Sequence, residues 1–150
     1  MKTFKSIFAI IILVIGLNSC SKNDETVSGP PPPPGLPEFL FAEGGATGFT
    51  AATDPIAMAT SNEIFGRIGT AEIIKIKLSG FAVGVYTISA INQFTYTRPT
   101  TTSPWVAGTG NVVITASIGG KISGTFDLNS GTSTLGINEV HGQFSDVTIN

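Results

Sequence analysis

The chain has few of the residues that cross-link folds or bind metals: it contains one cysteine, Cys20, and one histidine, His141. A lone cysteine excludes an internal disulfide, and in an exported chain it is either a free thiol or a modification site. A zinc site would have to combine His141 with carboxylates, which is rare. We therefore expect no metal, no cofactor and a fold that is held by its hydrophobic core.

Charge is also scarce, because only 12% of the residues are charged against about 25% in an average soluble protein. The basic residues beyond the first 37 positions are scattered and do not cluster with aromatic residues: Arg67, Lys75, Lys77, Arg98 and Lys121. Nucleic-acid binding requires a concentrated positive field. We expect no nucleic-acid partner.

Helical periodicity is absent from residue 38 onward, and a period of two replaces it. In the segment from Glu72 to Leu78, the residues Ile74, Ile76 and Leu78 share one face, opposite the two lysines. Alternation of this kind predicts half-buried antiparallel strands. The fold class is therefore predicted to be all-β, an antiparallel meander over residues 38–150 that forms a β-sandwich or a small barrel.

Turn residues divide this region into short segments. Strands are predicted near residues 38–43, 47–52, 63–68, 71–78, 84–90, 93–97, 105–107, 110–118, 121–128, 133–140 and 142–149. The predicted turns between them include Ser79-Gly80, Gly108–Gly110, Gly119-Gly120, Asn129–Gly131 and His141-Gly142.

A glycine two residues before an aromatic recurs three times, in Gly84-Val-Tyr86, Gly124-Thr-Phe126 and Gly142-Gln-Phe144. Residues i and i+2 of a strand lie on one face. We interpret the pattern as packing, in which a neighbouring ring covers the gap left by the glycine. A row of ligand-binding aromatic rings is the alternative.

The N-terminus combines Lys2 and Lys5 with an apolar run, Ile7–Leu17, that ends in Leu17-Asn-Ser-Cys20. As a helix the run is about 16 Å long at about 1.5 Å per residue, too short for a bilayer core of about 30 Å. It is typical of a signal peptide. An ordinary secretory signal with a chance cysteine is one interpretation.

Leu17, Ser19 and Cys20 also resemble the lipobox of bacterial lipoproteins. The resemblance implies that residues 1–19 are removed and that Cys20 carries a diacylglycerol thioether and an amide-linked acyl chain such as palmitate. It also implies attachment to the membrane through these chains. Ser21–Glu25 resembles the polar stretch that directs Bacteroidota lipoproteins to the outer membrane and the cell surface; a plain hydrophilic spacer is the alternative.

Residues 20–37 form the predicted linker, in which Pro30–Pro34 favours a polyproline II rod of roughly 15 Å. Beyond it, the segments GVYTI, GNVVITA, KISGTFDL and GQFSDVTI within residues 80–150 resemble a family of small Bacteroidota lipoproteins of unknown function. That resemblance implies a fold and a location, and no activity.

Catalytic patterns are weak. His141 with Asp127 or Asp146 and a serine has the composition of a hydrolase triad, but no nucleophile elbow accompanies it; we predict a turn or strand-end histidine. Asp127, Asn129 and Gly131 alternate as in calcium loops but lack the distal glutamate, so we predict a hairpin turn. The chain is not expected to be an enzyme, and no catalytic residue is assigned; a hydrolase is the last-ranked alternative.

The most irregular stretch, Gln93–Gly110, carries Tyr96, Arg98 and Trp105, which are the candidate ligand-binding residues. Loops with aromatic residues and an arginine are common binding sites. The ligand would be a glycan, a peptide or an envelope protein, and the chain a membrane-anchored binding or accessory module. A structural lipoprotein without a ligand is the alternative. A binding function predicts that Trp105 and Tyr96 are exposed together, whereas a purely structural function predicts that both are buried.

The lipobox resemblance predicts covalent acylation of Cys20. Cells grown with an alkyne fatty acid should incorporate the label into the wild-type chain, and Cys20→Ala should abolish the labelling, because no other thiol is present. Equal labelling of both chains, or none of the wild type, would contradict lipidation.

Overall fold

Strands account for every regular element that the structure describes. The computed structural model describes residues 37–69, 71–98, 100–101, 103–130 and 136–150. Within these ranges there is no helix, and the chain forms nine strands: β1 (Glu38–Glu43), β2 (Thr50–Met58), β3 (Glu63–Ile68), β4 (Ala71–Lys77), β5 (Gly84–Thr87), β6 (Gln93–Tyr96), β7 (Trp105–Ile118), β8 (Lys121–Ser130) and β9 (Glu139–Thr148).

The strands form one antiparallel sheet that closes on itself. Their order is β5-β7-β6-β4-β3-β2-β1-β9-β8, and β7 also pairs with β8. The last pairing joins the two ends of the sheet, so eight strands form a barrel while β5 extends β7 outside the ring. The all-β antiparallel prediction is confirmed, and of its two architectures the barrel is the one that forms.

Alternation along the strands separates the core from the surface as predicted. In β4, Ile74 and Ile76 are buried and Lys75 and Lys77 are exposed. Phe39 of β1 lies at the centre of the lumen, with its ring centroid 5.6 Å from that of Phe126 and 5.8 Å from that of Phe144. An eight-stranded barrel is just wide enough for side chains to fill, and these rings occupy much of that space.

Two predicted turns lie inside long strands and are therefore wrong. Gly108–Gly110 falls within β7, where a register shift between Ala107 and Thr109 absorbs the irregularity. His141-Gly142 falls within β9, which pairs continuously with β1 from Val140 to Ser145. In both cases the glycine allows neighbouring strands to approach closely. A Cβ on Gly110, for example, would collide with the carbonyl group of Asp127.

Other boundaries are closer to the prediction. The strand at residues 63–68 is confirmed in full, and Gly119-Gly120 makes the predicted turn between β7 and β8 with φ of 60° and 73°. The strand predicted at 47–52 instead continues to Met58, because a register shift between Thr53 and Ile56 accommodates the Asp54-Pro55 pair. Asn129 still pairs within β8 instead of turning, and Gly131 lies outside the described residues.

The glycine-aromatic motifs of β8 and β9 pack against each other reciprocally. In the register of this pair Gly124 lies opposite Phe144, and Phe126 lies opposite Gly142. A Cβ on Gly124 would come within 2.6 Å of the tip of the Phe144 ring, and one on Gly142 within 2.5 Å of the tip of the Phe126 ring. Each ring therefore covers the glycine of the other strand. For these two copies of the motif, the structure agrees with the interpretation as packing.

This packing predicts that Gly142→Ala and Gly124→Ala destabilise the barrel. The added methyl group meets a ring tip and a backbone carbonyl group, and overpacking of this kind costs about 1–3 kcal/mol of unfolding free energy. Denaturant unfolding measures the loss. Gly80→Ala is the matched control, because no atom lies within 4 Å of its Cβ position. Equal stability of the control and either core variant would contradict the packing.

Candidate functional site

One end of the barrel holds a pocket of about 410 Å³. Phe41, Ala42 and Ile68 provide its apolar surface. Two threonine residues, Thr50 and Thr100, also line it. The pocket therefore combines an apolar floor with polar groups, as small-molecule sites commonly do.

The polar centre of the pocket is a cluster of Glu43, Tyr96 and Arg98. The Nε of Arg98 donates to both carboxylate oxygens of Glu43, at 2.9 Å and 3.1 Å, and its Nη2 donates to Oε2. The hydroxyl group of Tyr96 donates to Oε1 of the same carboxylate. One carboxylate thus accepts hydrogen bonds from both other members of the cluster.

These contacts cross the mouth of the barrel. Glu43 ends β1, Tyr96 ends β6, and four pairings separate these strands in either direction around the ring, β6-β4-β3-β2-β1 or β6-β7-β8-β9-β1. They therefore lie on opposite sides of the barrel. The rings of Phe41 and Tyr96 make a second contact across it, at 5.4 Å between centroids.

The cluster fixes the ionisation of its members. Hydrogen bonds from Arg98 lower the pKa of the Glu43 carboxyl group, although partial burial works in the opposite direction. Burial raises the pKa of Tyr96, and the neighbouring carboxylate raises it further. Near neutral pH the carboxylate is charged and the phenol is protonated, so the ion pair as a whole carries no net charge.

The structure brings together two of the three predicted ligand-binding residues. Tyr96 and Arg98 line the pocket, but Trp105 is fully buried, its Nε1 donates to the carbonyl oxygen of Ile137 at 2.8 Å, and it packs edge-on against Phe94. Only 4% of Tyr96 is exposed. Both aromatic rings are therefore buried, as the structural alternative predicts, and of the three predicted residues only Tyr96 and Arg98 line the pocket.

The sequence analysis does not single out Glu43. The position of Glu43 within the alternating pattern of β1 could have identified it. One face of β1 carries Phe39, Phe41 and Glu43, because alternate residues of a strand point the same way. A charge on the face that is buried needs a partner, and the arginine of the irregular segment supplies it.

His141 does not line this pocket. It lies within β9 between Val140 and Gly142, on the outer face, opposite Asp127 of β8 and Ala42 of β1. The prediction of a turn or strand-end histidine is wrong, because Phe126 covers Gly142 and lets the strand continue. The imidazole packs edge-on against Phe49 at 5.7 Å, and its Nδ1 lies 3.2 Å from a Glu139 oxygen.

The calcium-like segment is also extended. Asp127 and Asn129 are exposed positions of β8 and not part of a tight turn. Among the described residues, no three or more histidine, cysteine, aspartate or glutamate side chains are grouped as a metal site. The same ranges contain no helix with the length and apolar character to cross a membrane.

The predicted signal peptide, the lipidation site Cys20 and the linker up to residue 36 lie outside the described residues. These assignments stay predictions. In comparisons with known proteins, no family model, no curated protein and no solved structure matches the chain.

The cluster predicts a specific acid sensitivity. Because the pKa of Glu43 is lower in the folded chain than its ordinary value of 4.5, its ionisation stabilises the fold above that pH, and this contribution is lost as the pH falls through the folded value. Glu43→Gln should therefore lower the melting temperature at pH 7 and flatten its decline below about pH 4.5. Thermal unfolding from pH 7 to pH 3 measures both effects.

Glu72→Gln is the control for this experiment, because Glu72 belongs to an exposed ion pair with Arg67 at 3.0 Å. The control should melt with the pH profile of the wild type. If Glu43→Gln does so as well, the ion pair across the barrel mouth does not stabilise the fold.

Proposed function

We propose that the chain is a lipid-anchored binding module of the bacterial cell envelope that binds a neutral, hydroxyl-rich ligand, such as a saccharide, in the pocket at the barrel mouth. The observation that carries the proposal is the polar cluster of Glu43, Tyr96 and Arg98 above an apolar floor. The lipid anchor comes from the lipobox resemblance, and an outer-membrane, surface-exposed location comes from the polar stretch after Cys20.

The ion pair between Arg98 and Glu43 favours a neutral ligand. The charge of Arg98 is compensated by Glu43, which takes two of its donor nitrogens. A guanidinium group has five N–H donors, and within the described part of the chain the others have no side-chain acceptor, so they suit uncharged acceptors of a ligand. A carboxylate ligand would have to approach Glu43 as well as Arg98. Hydroxyl groups both donate and accept, and they suit the arginine and the two threonines together.

The size and the floor of the pocket agree with this ligand class. Its volume of about 410 Å³ lies within the range of roughly 300–1,000 Å³ found for small-molecule sites. Sugars carry C–H faces as well as hydroxyl groups, and Phe41 and Ile68 offer apolar surface to such a face. Because the cluster is already assembled, binding would require little ordering of protein side chains.

The pocket lies at the far end of the first strand of the barrel. β1 begins at Glu38, and Glu43 at its opposite end lines the pocket.

A structural lipoprotein without a ligand is the second candidate, and the burial of Trp105 and Tyr96 favours it. In that case the cluster only links opposite sides of the barrel. Hydrolysis is the last-ranked candidate. Among the residues that the structure describes, Glu43 is the one acid that lines the pocket, and its lone pairs are engaged by Tyr96 and Arg98.

An array of neutral and acidic glycans, probed with the labelled full chain, tests the ligand class. We expect binding to neutral glycans and loss of that binding in Ala46→Trp, because Ala46 is an exposed residue at the pocket and a larger side chain there fills it. Ala59→Trp, at an exposed turn between β2 and β3, is the control and should bind normally. Melting curves should be similar for the three chains.

Two outcomes would count against the proposal. If no neutral glycan binds, the ligand class is wrong. If Ala46→Trp binds as well as Ala59→Trp, the pocket is not the binding site, and the structural candidate takes precedence.

A further inference from the structure

The strand β5 presents an open edge. It pairs with β7 on one side, and among the described residues no strand pairs with its other side. Exposed edges are usually protected by lysine, proline or a covering segment, because their free backbone groups recruit other strands. Here Val83 and Val85 are 64% and 66% exposed, and no charged residue occurs between Lys77 and Arg98.

The edge strand also carries the third glycine-aromatic motif, Gly84-Val-Tyr86. The other two motifs pair with each other, so that each glycine is covered by the ring of the opposite strand. Gly84 has no such cover, since no atom lies within 4 Å of its Cβ position. Gly84 therefore lacks the covering ring that Gly124 and Gly142 have, whereas the hydroxyl group of Tyr86 donates to the carbonyl oxygen of Ala82 in its own chain at 2.7 Å.

We propose that β5 pairs antiparallel with β5 of a second copy of this chain, with Val85 opposite Val85. In that register Gly84 of each copy lies opposite Tyr86 of the other. The same arrangement exists within the barrel, where Gly124, Thr125 and Phe126 lie opposite Phe144, Gln143 and Gly142. A strand that contains the motif once is complementary to itself about a two-fold axis.

The backbone of β5 is oriented for this pairing. The N–H of Ile88 donates to the carbonyl oxygen of Gly110 on β7 at 3.0 Å. Backbone groups of an antiparallel strand alternate between its two edges, so Tyr86 and Gly84 also direct theirs to β7. Val85 and Thr87 direct theirs to the other edge. There the carbonyl oxygen of Thr87 accepts from Nδ2 of Asn92 at 3.1 Å, and Val85 of each copy would exchange two hydrogen bonds with the other.

The side chains fit a second copy. Val85 and its neighbour on β7, Val113, lie on the outer face, and the two-fold axis would bring two such apolar pairs together. An uncharged edge imposes no repulsion between identical chains. Because a single short strand pair is smaller than a standard interface of about 1,200–2,000 Å², we expect rapid exchange and choose a test that traps the pair.

Disulfide trapping in cells that express the full chain tests the register. Val85→Cys should give an oxidant-dependent dimer on a non-reducing gel, because Cα atoms in such a pair lie about 5.5 Å apart, within disulfide range. Val83→Cys is the control, just before β5 and with nearly equal exposure. Its two copies would be offset by four residues, about 13 Å, and should not link.

Further variants make the test decisive. Val83→Cys expressed together with Thr87→Cys should link, since these positions face each other in the proposed register, and the wild type gives the background from Cys20. Equal linking of Val85→Cys and Val83→Cys, or none above background, would overturn the proposal.

Sedimentation of the full chain in detergent gives an independent measure. The wild type should dimerise with increasing concentration, and Val85→Lys should not, because it places two like charges together at the axis. Ile118→Lys, which changes an 80% exposed residue elsewhere on the barrel, should behave as the wild type does. Dimerisation of Val85→Lys at the wild-type level would also overturn the proposal.

Discussion

Closure of the sheet is the constraint on which the rest of the structure depends. The β7–β8 hairpin and the pair β1–β9, whose strands are distant in the chain, close the ring and turn the inner faces of eight strands toward one lumen. In a ring of this size the inward residues must fill the space between them without excess. The identity of each inward residue is therefore set by residues on strands that are far away in sequence.

The volume of the lumen explains both the aromatic rings and the glycines. The ring of Phe39 contacts those of Phe126 and Phe144, and rings of this size leave little room for further side chains beside them. Gly124 and Gly142 provide the missing space. Glycine usually weakens a strand, but here the ring of the neighbouring strand shields its backbone. The motif thus works in pairs, one copy on each of two neighbouring strands. β5 carries one copy, and no ring of a neighbouring strand covers its Gly84.

At the mouth of the barrel the same geometry produces a site. The inward series of β1 ends in a charged residue, Glu43, at the level where solvent can reach it, and the opposite strand supplies Tyr96 and, two residues on, Arg98. A carboxylate at this position needs donors, and the cluster provides them across the barrel. The resulting pocket, with an ion pair over an apolar floor, supports the proposed binding of a neutral ligand.

The sequence by itself determined what depends on neighbouring residues. Alternation in β4 separated its buried isoleucines from its exposed lysines, and Gly119-Gly120 marked a turn, because both properties are local to the backbone. It also indicated Tyr96 and Arg98, but as members of a loop with Trp105. Only the tertiary structure decided that Trp105 is core, that Glu43 completes the cluster, that His141 lies within a strand and that the sheet closes as a barrel. Each of these depends on contacts between strands that are distant in the chain, and no local pattern records which strands will meet.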